Sequence, residues 1–119
     1  MNYKHFSKKE LNCSHCGGVN VDDDFMDKIC MIREELGQPM VVTSFYRCKE
    51  YNEEIGGAPK SAHLDGEAMD ITKISDSYAR RVVELAIKHE INGIEVGTHH
   101  IHLDDKERIA PVIWAGRSV

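Results

Sequence analysis

Phe25, Ile29, Ile32 and Leu36 recur at helical spacing behind the run Asp22-Asp23-Asp24, which offers an N-cap and favourable charge for the helix dipole. The spacing predicts a helix that stops at Gly37. Residues 40–44 (Met-Val-Val-Thr-Ser) then read as a short buried strand, and 49–55 as a short polar helix ended by Gly56-Gly57. Over 67–72 the pattern alternates, with Ala68, Asp70 and Thr72 on one side and Met69 and Ile71 on the other. Ala79, Val82, Val83, Ala86 and Ile87 form the apolar stripe of a second long helix, capped by Ser75 or Asp76 and closed by Asn92-Gly93. Strands are expected at 94–96 and 101–104, joined around Gly97-Thr98. The tail over 109–114 reads as a last edge strand, where Pro111 is tolerated. Helices and strands mix without strict βαβ alternation. The expected fold is therefore α+β, a small and mostly antiparallel sheet with helices on one side.

Composition narrows this further. A chain of 119 residues with no repeat, linker or low-complexity tract reads as one domain, 1–119. At 41% hydrophobic and 29% charged it is globular in character, and a net charge of −5 without a basic stripe argues against nucleic acid as a partner. No apolar run reaches the roughly 18 residues of a membrane span, and the first ten residues lack a secretory apolar core. A monomer is expected. The seven histidines and four cysteines are unevenly placed: three histidines fall within 99–102, and Cys13 and Cys16 make a C-x-x-C. Metal chemistry is the reading to pursue.

The densest constellation is Ser61-Ala62-His63-Leu64-Asp65-Gly66-Glu67-Ala68-Met69-Asp70. His63 on a loop and Asp70 on the strand leaving it can converge, because Gly66 lets the chain turn sharply between them. A third ligand is available from the segment 100–104, where His100, His102 and Asp104 share one strand face while Ile101 and Leu103 face the core. Two histidines and a carboxylate with one open position make a catalytic zinc arrangement, whereas a structural site is closed by four protein ligands.

The same ten residues match the motif S-x-H-x-x-G-x-A-x-D, and in this the chain resembles the zinc D-Ala-D-Ala carboxypeptidase superfamily. That group includes the LAS metallopeptidases, phage endolysins and the hedgehog signalling domain. The likeness to its compact single-domain branch extends from His5-Phe6-Ser7 through Thr43-Ser44-Phe45-Tyr46-Arg47, Asn52 and Gly56-Gly57-Ala58-Pro59 to His102-Leu103-Asp104. It implies a hedgehog/DD-peptidase-like fold with zinc held by His63, Asp70 and His102. It also implies that Arg47 lies by the substrate, offering forked donors to a carboxylate or oxyanion. Phe45 stands where the family's Ser-Gly-Tyr-Arg has Gly. Ser61 matches a position that contacts substrate in relatives, and it also suits a turn cap.

The general base is where the pattern departs. Relatives carry an acidic residue three positions before the last histidine ligand, and His99 stands there instead. A neutral histidine can take a proton, so His99 is one candidate. His100 matches a histidine of several relatives, and Glu95 lies on the stretch from which hedgehog-type sites take their acid. His100 and His99 rank ahead of Glu95 on the sequence. Asp104 reads as a group that orients a ligand histidine.

The cysteines form a second question. Cys13-Ser14-His15-Cys16-Gly17-Gly18 resembles a zinc knuckle, and Cys30 and Cys48 would complete a four-thiolate structural zinc, or His15 would contribute. Reduced thiols and disulfides are the other outcomes, with Cys30 also suited to the core. Two functions follow. The first is a zinc metallopeptidase acting on peptidoglycan stem peptides, made without a signal and released as phage endolysins are or carried in a virion. The second is a non-catalytic zinc-binding module of the same fold. A nucleic-acid-binding knuckle rests on the C-x-x-C alone.

Overall fold

The computed structural model describes residues 3–115. The long helices form where the apolar spacing places them. Helix α2 (Asp23–Leu36) is capped by Asp22, whose carboxylate accepts from the Phe25 backbone N–H, and it ends on Gly37 in the left-handed region at φ 65°. Helix α4 (Asp76–Lys88) is capped by the Ser75 hydroxyl. It stops at Lys88, earlier than the Asn92-Gly93 signal, and Glu90 then turns the chain at φ 60°. Gly93 belongs instead to the next strand. Two short helices flank these: α1 (Lys8–Leu11), a capping-box turn the apolar pattern does not announce, and α3 (Lys49–Glu54).

Five strands form one sheet in the order β1-β2-β4-β3-β5. They are β1 (Val42–Ser44), β2 (Ala68–Thr72), β3 (Gly93–Val96), β4 (His100–Asp104) and β5 (Val112–Ala115). Every pairing is antiparallel except the edge strand β5, which runs parallel to β3. The fold is α+β with a mostly antiparallel sheet.

One face of the sheet is apolar and the other chemical. Met69 and Ile71 of β2, Ile101 and Leu103 of β4 and Ile94 of β3 are buried against Phe25, Ile29 and Ile32 of α2 and Val82, Leu85 and Ala86 of α4. Period-2 alternation then leaves the intervening side chains on the opposite face. The pairing Asp70↔His102, Glu95↔His102 and Glu95↔Trp114 sets these residues in one row across four neighbouring strands, and Ser44↔Asp70 extends it to β1. Ile87, expected on the buried stripe of α4, is 56% exposed. Among the described residues no helix is long and apolar enough to cross a membrane.

Candidate metal centre

His63 sits on a single 3-10 turn, Ala62–Asp65, and not on an irregular loop. Ser61 caps that turn by accepting from the His63 backbone N–H at 3.2 Å. Gly66 ends it at φ 67°, and a Cβ there would lie 2.1 Å from the Asn20 carbonyl oxygen, so only glycine brings the chain back into β2. His63 is 1% exposed. Its Nδ1 lies 2.5 Å from the Phe45 carbonyl oxygen, which can only accept, so the proton is on Nδ1 and Nε2 carries a free lone pair. Phe45 is itself fixed by its buried ring, stacked on Phe25. The bulky residue where the resemblance puts glycine thus anchors the carbonyl that orients His63.

The same logic fixes His102. Its Nε2 is 2.7 Å from Oδ2 of Asp104, a carboxylate held in turn by both guanidinium nitrogens of Arg108. Nε2 therefore donates, and in the metal-free protein Nδ1 donates as well, to Asp70 Oδ1 at 2.7 Å, so a cation here would take the place of the Nδ1 proton. Gly93 leaves room for this support, since a Cβ there would come within 2.5 Å of Arg108 Nη1. Donor atoms of His63, Asp70 and His102 all lie within 4.8 Å of one another.

Charge and burial agree with a cation between these three. Burial works against the Asp70 carboxylate, yet His102 and His63 hold it well below the usual carboxylate range. For His102, burial opposes the charged form, but bonds from Asp104 and Asp70 outweigh it and push the imidazolium up to about 9. Burial likewise opposes the Asp104 carboxylate, and His102 and Arg108 more than compensate. Among the described residues, two buried side-chain nitrogens lack a hydrogen-bond partner, His63 Nε2 and Arg47 Nε. His63 Nε2 comes within 3.3 Å of Asp70 Oδ2 but not in hydrogen-bonding geometry. A buried lone pair left unmet beside an ionised carboxylate fits a metal ligand.

An open groove of about 300 Å³ runs past this point, lined by Arg47, Gly57, Ser61, Glu95, His102 and Trp114 among others. Arg47 Nη1 donates to Asn52 Oδ1 at 3.1 Å, and Asn52 is buried and donates to the Ala58 carbonyl. Burial draws the guanidinium below its ordinary range, partly offset by Asp70. Gly57 is required here, because a Cβ would sit 2.1 Å from Asn52 Oδ1. On the far wall Glu95 Oε1 lies 2.6 Å from His100 Nε2, and its other oxygen accepts from the Trp114 indole N–H. Burial raises the Glu95 carboxyl, but those two bonds prevail and keep it ionised. The His100 ring lies over Gly97, where a Cβ would meet it at 2.3 Å.

The structure thus brings His63, Asp70 and His102 together, with Asp104 behind His102; Arg47, Ser61, Glu95 and His102 line the groove, and His100 lines the adjoining cavity with Arg47 and Glu95. His99 is apart: it is exposed in the β3–β4 turn and is not among the groove-lining residues. Asn52, Arg108 and Trp114 escape the sequence reading as site components. Only Asn52 had a signal, its place in the resemblance.

The cysteines divide differently from the expected four-thiolate set. Cys13, Cys16 and Cys48 have their sulfurs within 4.8 Å of one another. Cys30 does not join them, because it lies on α2 and packs against the core. All four are free thiols. Burial raises the Cys13 thiol, but backbone N–H donors from Cys48, Cys16 and His15 outweigh that and lower it to about 7.

No curated protein matches the chain. The family model described as Peptidase M15 matches residues 4–104, a span that contains the whole His63–Asp70–His102 centre, Arg47 and four of the five strands of the sheet. The chain therefore belongs to the Peptidase M15 family of zinc D-Ala-D-Ala carboxypeptidase-like metallopeptidases.

Proposed function

We propose that the protein is a zinc-dependent metallopeptidase that hydrolyses peptide bonds in peptidoglycan stem peptides. The observation that carries this reading is the fixed orientation of the two histidines. Two acceptor-only groups, the Phe45 carbonyl and the Asp104 carboxylate, turn His63 Nε2 and His102 Nδ1 towards Asp70, beside an open groove that His102 lines. His63, Asp70 and His102 would hold the ion, leaving a position towards the groove. When bound, zinc supplies Lewis acidity and an activated water.

The remaining chemistry falls to this chain's own side chains. Arg47 presents a guanidinium whose Nε has no partner and whose Nη1 is steadied by Asn52, which suits a substrate carboxylate or a developing oxyanion. Glu95 and His100, 2.6 Å apart, form a proton-moving pair on the wall opposite Arg47. Glu95 is ionised and stands directly across from His102 in the sheet, so it is the base within reach of the centre. His99 takes no part. The substrate assignment is supported by the family and by the Arg47 guanidinium in the groove lining, which fits a peptide ending in a carboxylate.

The test is incubation of zinc-loaded protein with purified peptidoglycan, reading new amino groups and muropeptides, beside His63→Ala and Glu95→Gln. Product from the wild type, with loss in both variants and metal retained in Glu95→Gln, is expected. A folded, zinc-loaded protein that releases no more product than His63→Ala would leave a zinc-binding module of the same fold as the reading.

A further inference from the structure

We propose that Cys13, Cys16 and Cys48, with His15 as fourth ligand, bind a second zinc-class cation that has a structural role and fastens the N-terminal segment to the backbone beside Arg47. Three features of the geometry lead there.

The first is convergence. Three sulfurs from two segments far apart in sequence lie within 4.8 Å of one another. Tetrahedral zinc with bonds of about 2.3 Å to sulfur sets sulfurs about 3.8 Å apart, so the cluster needs only a small contraction. His15 Nδ1 is 3.6 Å from Cys48 Sγ, close to the edge of about 3.6 Å that a zinc-bound nitrogen and sulfur share. His15 lies outside the 4.8 Å group of three sulfurs, its half-exposed ring stacked on Tyr51 with Nε2 3.9 Å from Glu54, so as fourth ligand it would turn from that position towards the sulfurs.

The second is the backbone. Cys13 N–H donates to the Gly18 carbonyl and Gly17 N–H to the Cys13 carbonyl, closing a tight knuckle, with Gly17 at φ 72°. Around it backbone N–H groups point at sulfur: Gly18 at Cys16 Sγ (3.3 Å), Cys48 at Cys13 Sγ (3.4 Å) and Tyr51 at Cys48 Sγ (3.5 Å). Such donors orient and stabilise thiolates as partners of a metal do. The third is placement. Cys48 caps α3 and directly follows Arg47, while Asn52 of the same helix holds the Arg47 guanidinium. A cation here would fix the peptide that carries Arg47, at a point outside the groove where no ligand position is left for substrate.

The readout is independent of peptidase activity. The full chain is loaded with Co²⁺, whose thiolate charge-transfer absorption reports sulfur ligation, and metal content is counted in parallel. A zinc-loaded sample is then titrated with an organomercurial, which displaces metal from thiolates only. The expected result is two metals per chain, one released by the mercurial, with strong charge-transfer absorption that His63→Ala retains. Cys48→Ser should lose one equivalent and that absorption. Cys30→Ser should lose neither, and His15→Ala should weaken the second site at least tenfold. One metal per chain with no thiolate band, a Cys13–Cys48 disulfide in freshly purified protein, or unchanged binding in Cys48→Ser would overturn the proposal. Should Cys48→Ser not fold, the mercurial titration of the wild type decides alone. Loss of activity with both metals bound would count against the peptidase reading and leave this site standing.

Discussion

Replacing Asp104 separates orientation of a ligand from ligation itself. Asp104 touches no candidate ligand except His102, whose Nε2 it meets at 2.7 Å, and it is 2% exposed beneath Arg108. As a carboxylate it accepts only, so it holds one His102 proton on Nε2, and the proton that a metal would displace is the one on Nδ1. Asparagine can still present its oxygen to His102, but its amide nitrogen then faces Arg108 and the negative charge is gone. Alanine removes both contacts and leaves Arg108 and His102 with a hole between them. Outer partners of metal-bound histidines typically govern about 10–100-fold in metal affinity, or about 1.4–2.8 kcal/mol. Asp104→Asn should fall near the lower bound and Asp104→Ala near the upper.

Competition against a chromophoric chelator gives the zinc dissociation constants directly, and a thermal melt of the metal-free variants gives the structural cost. Asp104→Ala should also lose stability, because the half-buried Arg108 guanidinium loses its carboxylate. His63→Ala supplies the scale for losing a ligand outright. If Asp104→Ala bound zinc within about twofold of wild type, the tautomer reasoning for His102 would fail. Loss equal to that of His63→Ala would make Asp104 a ligand and not a support.

Protons should compete with the metal. The His102 pKa is raised to about 9 in the metal-free protein, so zinc binding displaces a proton and affinity should climb about tenfold per pH unit from neutrality to that value, measured by the same competition. Linkage has the opposite sign for the metal-free fold: a raised folded pKa contributes stability in full below the unfolded value near 6.5, and that contribution is lost as pH rises through about 9 in denaturant titrations. Gly97→Ala should displace the His100 ring, which a Cβ would meet at 2.3 Å, and lower kcat with zinc affinity unchanged, since His100 touches Glu95 and none of the three ligands. Gly57→Ala should push Asn52 off Arg47 and raise KM for carboxylate-ended peptides more than it lowers kcat. Leu103→Ala, in the fully buried face of β4, should cost about 2–5 kcal/mol by denaturant unfolding.

Why the sequence exposed some of these groups and hid others follows from the range over which each is specified. Phe25, Ile29, Ile32 and Leu36 announce α2 because helical spacing is a local property, and the alternation of His100-Ile101-His102-Leu103-Asp104 announces two faces of β4 for the same reason. The end of α4 is less legible, because Lys88 and His89 are satisfied by Glu35 of α2, a tertiary partner that no local signal names. Arg108 and Trp114 come from the segment after β4, and only the parallel pairing of β5 with β3 brings Trp114 opposite Glu95. Cys30 misleads for a related reason: a cysteine on a helical stripe looks the same in sequence whether it faces a metal or a core.

The ranking of proton-moving groups shows the difference most sharply. Counting back from His102 puts His99 and His100 ahead of Glu95, and counting along one strand carries no information about what stands across the sheet. Register does: Glu95 pairs with His102 from β3 as Asp70 pairs with it from β2, so one histidine faces carboxylate-bearing residues on both flanking strands of the same face. One of these carboxylates, Asp70, lies within 4.8 Å of donor atoms of both His63 and His102. The other, held by His100 and Trp114 instead of by a ligand histidine, is left facing the groove. A one-residue slip of β3 against β4 would turn Glu95 into the apolar core and Ile94 towards the centre. The burial of Ile94 and Leu103 that stabilises the sheet therefore also decides which carboxylate faces the same side as His102.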